Sequence, residues 1–130
     1  IISGEVNGVK GPADTFTGIN IYNVTLNNNG RVSLNEPSDF NTGILVLKGE
    51  IKINGENIGK ESDFILFDNV EGSISVEAIT KDALFIVLSG RPINEPVVSH
   101  GPFVMNTIEE IYQAYDDFRN NKFGSEEFWR

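Results

Sequence analysis

Through the first hundred positions, apolar residues come in short runs broken by Gly, Asn, Pro and Asp. "INIYNVTL" (Ile19–Leu26) is rich in β-branched and aromatic residues, which suit a strand. It stops at "NNNG", where Asn29-Gly30 readily takes positive φ and favours a tight turn. "RVSL" (Arg31–Leu34) follows, then a polar loop through Glu36-Pro37-Ser38-Asp39. "GILVLKGEIKING" (Gly43–Gly55) opens as a continuous apolar run and then alternates, Ile51 and Ile53 against Glu50 and Lys52. It reads as one strand, buried on both faces before it emerges into half-exposure. Asn54-Gly55 closes it with the strongest short-range hairpin signal. "DFILFD" (Asp63–Asp68) reads as a short buried strand. "SISVEAI" (Ser73–Ile79) puts Ile74, Val76 and Ala78 on one side, and "ALFIVLSG" (Ala83–Gly90) is again continuously apolar. Roughly eight short strands at this spacing predict an all-β sandwich or barrel.

The period then changes. Ile108, Ile111, Tyr112, Tyr115 and Phe118 fall on one helical face, predicting a helix over about 107–122. Thr107 and Glu110 form the T-x-x-E capping box at its start. Glu109 and Glu110 sit at the positive end of the helix dipole, Arg119 and Lys122 near the negative end. Gly124 is the expected stop.

Composition narrows the function. The 130 residues suit a single domain over 1–130, with an apolar fraction of 39% and nine Phe for its core. A net charge of -9 argues against direct nucleic-acid binding and against anionic membrane surfaces. The absence of cysteine excludes thiolate nucleophiles and Cys-ligated metals, and fits a reducing, cytoplasmic compartment. No apolar run approaches membrane length. Asn23-Val24-Thr25 matches a glycosylation pattern but falls inside a strand. Ile1-Ile2 reads like the middle of a strand, so the chain is expected to be an excised piece of a longer protein.

Chemistry is hard to find. Metal sites commonly take three or four protein ligands, and His100 is the one histidine. Asp63 and Asp68 have odd spacing on a strand, hence opposite faces. Ser99 and His100 are adjacent and point apart, and Ser89 or Ser33 could reach His100 only through tertiary folding. Glu5, Glu50 and Glu77 are strand-borne carboxylates with no reason to pair. Asp116-Asp117 and Glu126-Glu127 read as solvated faces. Phe128 and Trp129 are expected to dock, on the domain itself or on a partner.

One run is more specific. "GRPINEPVVSHGPFVMNT" (Gly90–Thr107), inside Phe85–Gly124, resembles the end of the pirin family, and "ISGEVNGVKGP" (Ile2–Pro12) resembles the start of its second domain. The resemblance implies a cupin, or jelly-roll, double-stranded β-barrel with one C-terminal amphipathic helix. It implies tandem cupin barrels in the full-length protein, with iron held by histidines and a glutamate in the first. This chain resembles the second barrel alone, and none of those ligands has a matching position here. Some relatives are described as quercetin-type flavonol dioxygenases, others as nuclear, redox-responsive transcription cofactors.

The expectation is therefore a metal-free C-terminal domain with no catalytic, cofactor-binding or metal-ligating residues. Its partner would be the iron-binding N-terminal cupin domain of the same protein. The alternatives are a contribution to flavonol dioxygenation in the full-length protein, and a small-ligand-binding barrel. The continuous apolar strands Ile44–Leu47 and Phe85–Leu88 speak for a filled interior. His100, Gly101, Pro102, Phe103, Asn106 and Thr107 form the interdomain or structural motif. Gly101-Pro102 is expected to force a bend, and Phe103, Val104 and Met105 to plug the gap between barrel and helix. Apolar surface left by a missing barrel would favour a homodimer.

Overall fold

The computed structural model describes residues 1–124. They form two compact units, Ile1–Pro92 and a second beginning at Ile93. Glu126, Glu127, Phe128 and Trp129 lie outside the described residues.

In chain order the first unit contains β1 (Glu5–Val6), β2 (Val9–Lys10), β3 (Ile19–Asn27), β4 (Arg31–Leu34), β5 (Asn41–Lys48) and β6 (Ile51–Ile53). It continues with β7 (Asn57–Gly59), β8 (Phe64–Leu66), β9 (Ile74–Ala78) and β10 (Asp82–Gly90). β1 and β2 make a small hairpin. The other eight strands form two four-stranded antiparallel sheets, ordered β3-β10-β5-β8 and β4-β9-β6-β7. The sheets do not close into a barrel; they make a sandwich whose core draws on both. Ile44, Val46, Phe85 and Val87 of the first sheet join Ile51, Ile53 and Val76 of the second, all essentially without solvent contact. Along β10, Ala83, Phe85, Val87 and Ser89 turn inward while Leu84, Ile86 and Leu88 stay half-buried on the other face. That two-sided cover is why the strand reads as unbroken apolar sequence.

Two expectations need correction. Gly43–Gly55 is not one strand: β5 and β6 belong to different sheets, and the chain turns between them at Gly49, whose φ is +76. The Thr80 hydroxyl braces this corner, accepting from the Glu50 amide at 3.0 Å and donating to the Asp82 carbonyl at 2.9 Å. β8 is not buried either. It is an edge strand paired with β5 on one side, and Phe64 and Leu66 are 57% and 69% exposed. The turn signals hold. Asn54 and Gly55, at φ +50 and +77, open the three-residue turn that joins β6 to its hairpin partner β7. Asn29 is left-handed at φ +58 and carries the chain from the first sheet into the second.

The second unit contains β11 (Val98–His100), β12 (Phe103–Met105) and α1 (Ile108–Arg119). β11 and β12 pair antiparallel around Gly101-Pro102, so the expected bend is a hairpin turn. Thr107 is the N-cap of α1 and the capping box is complete. The helix ends earlier than 122. Asn120 is its C-cap and Asn121, at φ +57, takes the left-handed position that the sequence assigned to Gly124. Of the apolar stripe only Ile111, with Ala114, is buried; Ile108, Tyr112 and Phe118 are 41%, 65% and 62% exposed. Among the described residues no helix is long and apolar enough to cross a membrane.

Candidate functional site

The motif residues converge in the second unit, and they do so as a scaffold. Gly101 sits at φ +56, and a Cβ there would run into the Tyr115 hydroxyl. That hydroxyl donates to the His100 carbonyl at 3.4 Å. The Tyr115 ring meets the His100 ring edge-on, centroids 5.8 Å apart, and meets Phe103 at 5.0 Å. Phe103 also lies 6.1 Å from Phe123. The Asn106 amide donates to Glu95 Oε2 at 3.0 Å and to the Pro96 carbonyl at 2.9 Å, tying the incoming loop to the helix start. The backbone amides of Asn106 and Thr107 both donate to Glu110 Oε2. Val104 is exposed on β12.

Beside this cluster lies an open groove of about 590 Å³, lined by His100, Ile108, Tyr112, Tyr115, Asp116 and Arg119. Its walls are apolar and aromatic with an ion pair at one end, Arg119 Nη1 to Asp116 Oδ1 at 3.6 Å. Such a lining can hold an apolar surface. Among the described residues it gathers no set of metal donors.

The other sequence candidates do not gather. Ser89 is buried, its hydroxyl 2.8 Å from that of Thr42. Glu77 pairs with Arg31 at 2.9 Å. Asp63 accepts from the Lys60 amide at 2.8 Å as a loop clasp. Among the described residues, no three of His, Cys, Asp and Glu surround one point.

Sequence reasoning missed a polar cluster in the first unit. Glu36, just after β4, accepts from Tyr22 Oη at 2.6 Å and from Asn20 Nδ2 at 2.7 Å. Asn20 and Tyr22 are two apart on β3 and so share a face. Glu36 lines two separate cavities of about 330 and 340 Å³. The i, i+2 pair was the available signal. Searching for paired carboxylates could not find it, because the trio holds only one.

Burial first, and then the Glu36 carboxylate, push the Tyr22 phenol well above its ordinary 10.0. The folded state thus holds this proton more tightly than the unfolded chain. The resulting stabilisation is complete below about pH 10 and fades as pH rises toward the folded value. Tyr22→Phe is expected to lower stability by about 1–3 kcal/mol at neutral pH, since it strips a donor from a carboxylate. It should also flatten the fall in stability above pH 10. Urea melts of both proteins at neutral and alkaline pH check this; parallel pH profiles would contradict it.

A family model described as the pirin C-terminal cupin domain matches residues 21–124. Pirin of Homo sapiens is 34% identical over 129 residues, covering 97% of this chain and 44% of that protein. A Pseudomonas aeruginosa protein that bears the provisional name quercetin 2,3-dioxygenase is 34% identical over 95% of this chain and 42% of its own length. A crystal structure of quercetin 2,3-dioxygenase from Acinetobacter baumannii matches with a TM-score of 0.82 and 38% identity, over 95% of this chain and 43% of that one. The chain therefore spans less than half the length of these relatives.

Proposed function

The chain belongs to the pirin family as its C-terminal cupin domain, and from that premise we propose that it is the metal-free companion of an iron-binding N-terminal cupin domain. The observation that carries the proposal is the uncovered apolar face of the second unit. Ile108, Tyr112, Phe118, Phe123 and Val104 are all exposed around the His100–Tyr115–Phe103 scaffold. A solvated surface of this size rarely presents that many large apolar side chains together. The relatives carry more than half of their length beyond the matched segment, which is enough for a second barrel. The proposed occupant is that barrel, docked on β12 and α1, with His100 at the edge of the contact.

Among the described residues the donor set does not fit an iron centre, since His100 has no converging partners. In this reading any flavonol dioxygenation by the full-length protein takes place at the other barrel, and this domain shapes or closes its surroundings. A ligand-binding barrel is less well supported, because the interior is filled by Phe85, Ile44 and Ile51, each fully buried. The net charge of -9 and the lack of cysteine support a cytoplasmic role without direct nucleic-acid contact.

Metal analysis after anaerobic reconstitution with ferrous iron tests this directly. The chain alone should retain far less than one equivalent and turn over no quercetin, while the two-domain protein should hold iron. Tight, stoichiometric iron or flavonol turnover in the chain alone would reject the proposal. Without its neighbour, the same apolar face is expected to pair two copies, and sedimentation velocity should show a dimer. A clean monomer at high concentration would argue against that apolar face as a docking surface.

A further inference from the structure

The chain contains three Asn-Gly steps, Asn7-Gly8, Asn29-Gly30 and Asn54-Gly55. Such steps are chemically labile. The deprotonated glycine amide nitrogen attacks the asparagine Cγ, the bond to the side-chain nitrogen breaks, and ammonia leaves. A cyclic succinimide forms, and water opens it to aspartate or to isoaspartate. No oxidant or cofactor is needed. All three asparagines are left-handed, at φ +51, +58 and +50, so each must leave its turn before the ring can close. The rate then depends on how readily the turn opens.

On sequence alone Asn29 should react fastest. Val6 and Ile53 precede the other two, and β-branched neighbours crowd the attacking geometry, whereas Asn29 follows Asn28. The fold reverses this order. The Gly30 amide is engaged, donating to the Asn27 carbonyl at 2.7 Å, and the Gly30 carbonyl accepts from Ala78 in the second sheet at 2.9 Å. Asn54 is held at both ends: its Oδ1 accepts from the Ser75 amide at 2.9 Å, and its own amide donates to the Ser75 carbonyl at 2.8 Å. Opening that turn also pulls on β6, which is paired on both sides and buries Ile51 and Ile53. Asn7 closes a hairpin of two strands with two residues each, on an exposed surface. Around Gly8 a Cβ would meet nothing within 4 Å. Val6 packs partly on the core and the Glu5 amide reaches Asn20 Oδ1 at 3.4 Å, so the base of this ribbon is anchored. Its tip at Asn7-Gly8 and Val9 is exposed, and so short a ribbon has little to hold that tip shut.

We propose that Asn7 is a modification site, the position at which the folded protein deamidates and isomerises, and that the sandwich protects Asn29 and Asn54. An isoaspartate there lengthens the backbone by one carbon inside a two-residue turn, so the Val6–Val9 pairing is lost with it.

The test is peptide mapping by mass spectrometry, with fragmentation that distinguishes isoaspartate from aspartate. The intact chain is held at mildly alkaline pH, in buffer and in concentrated guanidinium. In buffer the Asn7 peptide should convert at least about tenfold faster than those of Asn29 and Asn54. In guanidinium the order should invert, with Asn29 leading. Conversion of Asn29 or Asn54 in buffer as fast as Asn7, or no conversion at Asn7, would overturn the proposal. So would the same order of rates in both solvents.

Discussion

Replacing Phe85 with alanine is expected to remove about 3–5 kcal/mol of stability, a large share of the whole for a domain of this size. Phe85 is fully buried at the middle of β10, with β3 on one side and β5 on the other. Its neighbours across the sheet are Val24 and Val46, and the core cluster extends from it into the second sheet. Truncation leaves a void that these strands cannot readily fill, because they are hydrogen-bonded on both sides of β10. Urea denaturation followed by circular dichroism measures the loss. A change below about 1 kcal/mol would mean that the core relaxes freely around the site.

Gly49→Ala should be nearly as damaging for a different reason. At φ +76 any side chain strains the backbone, and here a Cβ would also collide with the Asp82 carbonyl and the Thr80 hydroxyl. Those are the atoms that brace the crossing from β5 to β6. We expect a loss of roughly 2–4 kcal/mol. Gly55→Ala is the matched control, since Gly55 has φ +77 but open space around it, and should cost only about 1–2 kcal/mol. Equal losses at the two positions would show that the corner is not sterically tight.

The contrast between these glycines shows what could be read in advance. Asn54-Gly55 declares its turn locally, because the pair supplies positive φ within two residues. Lys48-Gly49-Glu50 carries no such pair, and the apolar alternation continues straight across it, so the corner was invisible. β8 was misjudged because being at an edge is a property of sheet order, which its own residues do not encode. The Asn20–Tyr22–Glu36 cluster depends on β3 meeting the loop after β4, again a tertiary fact. The start of α1 was legible to the residue, since Thr107 and Glu110 encode it side chain to backbone. Its end was not, because Asn121 tolerates the left-handed state almost as well as glycine does. Amphipathicity identified the apolar face of α1. It could not say that Ile108, Tyr112 and Phe118 would stay exposed among the described residues.

The pairing of β3 with β10 brings Ile19 opposite Gly90. During synthesis β3 must therefore wait, its apolar face unmet, until almost the whole first unit has left the ribosome. Such a nascent chain is exposed for longer than one built from neighbouring hairpins, because its long-range pairing closes late.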